Sequence, residues 1–95
     1  MREGGRRARL RMLVSGRVQG VFFRGAAAGQ ARALGIVGYA RNLDDGSVEI
    51  VVEGRREALE VMAAWAHHGP SAALVEEVRS EWSDALDEFD EFRVR

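Results

Sequence analysis

Two stretches with helical periodicity, 22–34 and 57–68, are each set between stretches that alternate with the period of a strand, and this order constrains the fold more than any other feature of the chain. In the first strand segment Leu10, Met12 and Val14 alternate with Arg9, Arg11 and Leu13, leaving one apolar face. In the first helical segment Phe23, Ala27, Ala31 and Leu34 fall on one stripe, and Gly35 supplies a stop. Residues 36–42 read as a second strand. Asp44, Asp45, Gly46 and Ser47 then read as a hairpin turn, where Asp-Gly is a favoured pair. Val48, Ile50 and Val52 alternate with Glu49, Val51 and Glu53 in a third strand that Gly54 ends. The second helical segment turns Leu59, Met62, Ala63 and Ala66 inward, and Gly69-Pro70 stops it. A fourth strand spans 74–82, and after a polar stretch a short closing strand spans 89–94.

The order β-α-β-β-α-β with a terminal strand is that of an α+β, ferredoxin-like two-layer sandwich. An antiparallel-rich sheet is expected, with two helices on one face. The 95 residues suffice for one domain, assigned to 9–95, after a short flexible basic arm at 1–8. Gly25 and Gly29 stand out inside the first helix, each costing roughly 1 kcal/mol against Ala. Either they allow close packing or they soften the helix.

The residue types that are missing exclude whole chemistries. No Cys means no disulfide, thiol nucleophile or zinc–thiolate site, and no Lys means no Schiff base and no phosphate-loop lysine. All 14 basic residues are Arg, so a bound anion must be held by Arg or by backbone N–H groups. The 15 acids balance them to a net charge of −1, which argues against a general nucleic-acid binder. The balance is uneven along the chain. Arginines crowd residues 1–11 and acids crowd 76–91, which reads as solvated surfaces that partly neutralise one another. No leader and no apolar run long enough to span a membrane stands out, so a soluble, cytoplasmic monomer is expected.

The loop between the first strand and the first helix offers the most chemistry. Gly16 and Gly20 let successive N–H groups point into one concavity, the helix start adds unpaired N–H groups and a favourable dipole, and Arg24 follows in the first turn. This makes a phosphate-sized site without lysine or metal, although a Gly-x-x-x-Gly loop also serves as a plain turn. Asn42, at the end of the second strand, can donate and accept, and so can hold a water in a set direction. Turn capping is the common alternative. His67 and His68 are adjacent and cannot chelate one metal as an i, i+4 pair would. Asp44 and Asp45 read as turn formers, and Trp65 and Trp82 as core or sheet-covering aromatics. Phe22 and Phe23 fall at a helix start, not on the exposed strands where a base-stacking platform would need them.

The run Val14-Ser15-Gly16-Arg17-Val18-Gln19-Gly20-Val21-Phe22-Phe23-Arg24 resembles the first signature of the acylphosphatases. Gly38-Tyr39-Ala40-Arg41-Asn42-Leu43-Asp44-Asp45-Gly46-Ser47-Val48, continuing to Gly54, resembles the second. Gly69-Pro70 with Ala73, Val75 and Val78, and the closing Phe92-Arg93-Val94, also follow the family pattern. The resemblance implies hydrolysis of the carboxyl–phosphate bond of small acyl phosphates, with no metal, cofactor or covalent intermediate. It also implies roles: Arg24 binds the phosphoryl group, the loop Arg17, Val18, Gln19, Gly20 and Val21 cradles it through backbone N–H groups, and Asn42 positions the attacking water. A phosphate-binding module without turnover and a carbamoyl-phosphate-processing domain are the alternatives. No residue set selects the acyl end of the substrate, and the acids of 84–91 would repel an anionic substrate if they approached the loop.

Overall fold

The computed structural model describes residues 6–95. Seven elements follow in the order β1 (Arg7–Arg17), α1 (Phe23–Leu34), β2 (Val37–Asn42), β3 (Val48–Arg55), α2 (Arg56–Ala66), β4 (Leu74–Asp84) and β5 (Phe92–Val94). They form one five-stranded sheet in the order β4-β1-β3-β2-β5. Among the described residues only the β2–β5 pair is parallel. Each β-α-β unit leaves room for one strand between its own two, so β3 lies between β1 and β2, and β1 between β3 and β4. This is the expected ferredoxin-like sandwich.

Alternation decides which face is covered. Leu10, Met12 and Val14 of β1 and Val48, Ile50 and Val52 of β3 are fully buried beneath the helices. Phe23, Ala27 and Ala31 of α1 and Leu59, Met62 and Ala66 of α2 close over them. Small alanines on the inner stripe of α1 let that helix lie close to the sheet.

The other face carries charge, and its buried carboxylates are all partnered. Glu53 is fully buried and accepts from Arg9 Nη1 at 2.9 Å, Leu86 N–H at 2.8 Å and Asp87 N–H at 2.9 Å. Glu49, 3% exposed, accepts from Arg11 Nε at 2.7 Å, Arg41 Nε at 2.6 Å and the Tyr39 hydroxyl at 3.1 Å. Burial pushes both carboxyls up, but these hydrogen bonds and the arginine charges outweigh it and hold both below their ordinary range.

Several boundaries move from those the pattern suggests. Arg7 and Ala8 belong to the sheet and not to an arm over 1–8, because Arg7 pairs with Arg55 and Ala8 with both Gly54 and Asp84. Of the rest of that arm, residues 1–5 lie outside the described residues, and the Arg6 carbonyl accepts from the Arg56 N–H at 3.1 Å. Gly54 sits inside β3 instead of ending it. Helix α2 stops at Ala66, since the N–H groups of His68 and Gly69 both turn back to the Trp65 carbonyl. β5 is shorter than expected because Phe89 leaves the sheet edge to pack its ring against Tyr39, with centroids 5.9 Å apart.

Candidate active site

The C-terminal ends of β1, β2 and β5 and the N-terminal end of α1 converge at one end of the sandwich. A β-bulge at Ser15/Gly16 breaks the β1–β4 register just before the loop. Gly16 there has φ +123°, and a Cβ would collide with the Leu74 carbonyl oxygen, so only glycine serves. Arg17 is the last residue of β1 and is exposed. Val18 turns inward to 1% exposure and anchors the loop in the core. Among the described residues, no backbone carbonyl takes the N–H groups of Val18, Gln19, Gly20 or Val21.

The start of α1 is similarly open. Phe22 occupies the N-cap position, where it can offer no capping oxygen, and the first turn contains no acidic residue. The unpaired N–H groups of the first turn and the positive end of the helix dipole therefore face outward without a side-chain partner. Arg24 stands in that turn and donates from Nη1 to the backbone oxygen of Arg95 at 2.6 Å. Arg24 and Asn42 line one cleft of about 350 Å³, together with Val18, Gly20, Phe22, Phe23, Gly25 and Val94. Two residues far apart in sequence, from α1 and from β2, are thus brought to the same opening.

One residue has a side-chain role that its place in the loop did not disclose. Gln19 Nε2 donates to the carbonyls of Leu43 and Ser47, each at 2.9 Å, and so fastens the loop to the turn that follows Asn42. Of the loop residues, Val18 and Gly20 line the cleft and Arg17, Gln19 and Val21 do not. The turn itself forms as its residues demand. The Ser47 N–H and hydroxyl both donate to Asp45 Oδ1, at 2.9 and 2.6 Å, and the Ser47 hydroxyl chiefly holds the Asp45 carboxyl below its ordinary range. His67 Nδ1 lies 2.9 Å from the Ala63 carbonyl oxygen, closing the end of α2.

Glu76 lies on β4 beside Gly16, whereas Asp87 and Glu88 are held at the far end of β1. Asp87 pairs with Arg7 at 3.1 Å and Glu88 with Arg9 at 2.9 Å. Arg9 lies eight residues before Arg17 along β1, roughly 26 Å at the rise of a strand.

Fold and cleft place the chain among small α+β sandwiches with an open cleft at one end of the sheet. The family model for acylphosphatase matches residues 10–94. An acylphosphatase of Anaeromyxobacter dehalogenans (strain 2CP-C) is 49% identical over 89 residues, covering 94% of this chain and 96% of the relative. The solved acylphosphatase of Coxiella burnetii superposes with a TM-score of 0.88 at 36% identity, covering 95% and 94% of the two chains. That of Bacillus subtilis gives 0.89 at 32%, covering 93% and 98%. The chain belongs to the acylphosphatase family and is a hydrolase. Among the described residues no helix is long and apolar enough to cross a membrane.

Proposed function

We propose that this protein hydrolyses small acyl phosphates to a carboxylate and inorganic phosphate by direct attack of water on phosphorus, acting as a monomer. The observation that carries the mechanism is the single cleft that Arg24 and Asn42 share, beside a helix start with no capping side chain. An acyl phosphate already has a good leaving group in its carboxylate. What it needs is charge stabilisation on the phosphoryl oxygens and a water held in line. The Arg24 guanidinium suits the first task, with the N–H groups of the 17–21 loop; an incoming phosphoryl oxygen replaces the Arg95 oxygen as its partner. Asn42 suits the second, its amide oxygen accepting from the water and aiming a lone pair at phosphorus. The water oxygen bonds to phosphorus, the bond from phosphorus to the acyl oxygen breaks with its electron pair going to the carboxylate, and the water proton passes to a phosphate oxygen.

The test is hydrolysis of benzoyl phosphate in EDTA by wild type, Arg24→Ala and Asn42→Ala, with folding checked by circular dichroism. Arg24→Ala is expected to lower kcat/KM by about 10³, the scale on which an arginine at a transferring phosphoryl group acts. Asn42→Ala is expected to lower kcat by about 10² with little change in KM. An Asn42→Ala variant altered in KM alone refutes the water-positioning role. A pH–rate profile that demands an essential enzyme base refutes the proton route. A folded wild type that binds phosphate without turnover makes the protein a binding module.

A further inference from the structure

The phosphate end of the substrate accounts for only part of the cleft. Apart from Arg24 and Asn42 its side chains are apolar: Phe22, Phe23, Val18 and Val94. A phosphate gains nothing from such walls, because it needs donors wherever it is desolvated. Phe23 and Val18 are core residues that form the floor, 2% and 1% exposed. Phe22 and Val94 are different. They are 75% and 46% exposed, and no core packing explains either side chain's position at the rim.

Phe22 is also held there at a cost. Its backbone is left-handed, with φ 64° and ψ 29°, a region that disfavours a residue with a Cβ by about 1–2 kcal/mol. Its ring lies over Gly25, in the space a Cβ at that position would occupy. The missing side chain at Gly25 is thus a seat for the ring. This resolves the choice left by the sequence: Gly25 allows a close contact, while Gly29 faces open space.

We propose that Phe22 and Val94 form the subsite for the acyl group and make this enzyme selective for apolar, above all aromatic, acyl phosphates. The inference rests on the acylphosphatase reading of the Arg24–Asn42 cleft. A cleft of about 350 Å³ exceeds what a phosphoryl group alone fills. A ring on the acyl side has the apolar side chains of Phe22 and Val94 to pack against. Among the described residues Arg24 is the one charged side chain lining the cleft, so an acyl group with its own negative charge finds no second cation among them.

The experiment compares kcat/KM for benzoyl phosphate and acetyl phosphate in wild type, Phe22→Ala and Gly25→Ala, with inhibition by inorganic phosphate measured in each. Phe22→Ala removes the ring; Gly25→Ala keeps it but takes its seat. The benzoyl-to-acetyl ratio is expected to exceed one in wild type and to fall about tenfold in Phe22→Ala, the scale of one lost aromatic contact. It falls in Gly25→Ala as well, while the inhibition constant for phosphate moves less than the ratio. A ratio that stays constant in both variants overturns the subsite. So does a common loss of both substrates and of phosphate affinity, which makes Phe22 a prop of the anion loop. A wild type that turns over neither substrate refutes the acylphosphatase reading and takes the subsite with it.

Discussion

Replacing Glu53 by Gln tests what holds the charged face of the sheet together. The carboxylate is fully buried and accepts three hydrogen bonds: from Arg9 and from the consecutive N–H groups of Leu86 and Asp87. Glutamine has nearly the same shape, but one of its two terminal atoms is an NH2 group and can only donate. In the place of Oε1 that group faces the Asp87 N–H, and in the place of Oε2 it faces both Arg9 and the Leu86 N–H, so at least one donor loses its acceptor at about 1–3 kcal/mol. Arg9 also loses one of its two carboxylate partners while keeping Glu88. Together the substitution should cost about 2–4 kcal/mol, which lowers Tm by roughly 10–25 °C in a domain of this size. The damage is local as well as global: amide exchange at Leu86 and Asp87 should accelerate well before the β1 and β3 amides do. A loss under about 1 kcal/mol with unchanged protection at those two amides would refute the idea that Glu53 pins this segment to the sheet.

Acid sensitivity follows from the same carboxylates. Glu49 and Glu53 are held below their ordinary range in the folded protein, so their stabilisation is complete above that range and is lost as pH falls through their depressed folded values. Stability measured by urea unfolding should drop steeply below about pH 4.3, and less steeply in Glu53→Gln. Gly29→Ala should stabilise by about 0.5–1 kcal/mol, because a Cβ there meets nothing and the backbone is helical; a lower Tm would contradict this. Gln19→Leu removes both bonds that tie the anion loop to the turn after Asn42. It should cost about 1–2 kcal/mol and raise KM for benzoyl phosphate, and an unchanged KM would show that the loop keeps its place without the tie.

The fold was legible because the helices and central strands are amphipathic with distinct periods, so Leu10, Met12 and Val14 or Leu59, Met62 and Ala66 announce their inner faces without tertiary knowledge. Strand ends were less legible. β1 extends to Arg7 because two neighbours pair with it there, and β5 begins only at Phe92 because Phe89 turns to Tyr39, and both choices are made by partners distant in sequence. At the cleft, glycine spacing and Arg24 were readable from local rules. The Gln19 tie depends on carbonyls 24 and 28 residues away. The left-handed Phe22 breaks the expectation that such a conformation belongs to Gly or Asn, and nothing in the flanking residues signals it.

The sheet order makes the cleft depend on the docking of the short strand β5. The cleft draws on residues 18–25, on Asn42 and on Val94, and Val94 reaches it only through the parallel pairing of β5 with β2. β1 pairs with β3 and with β4, both distant in sequence, and contacts of long sequence separation slow folding. Because β5 contributes only three residues to the sheet edge, refolding followed by tryptophan fluorescence, with Trp65 against Phe23 at 5.3 Å, is expected to report core formation before catalytic activity returns, and simultaneous recovery would refute this. The enzyme's own turnover becomes a clock for the docking of its final three-residue strand.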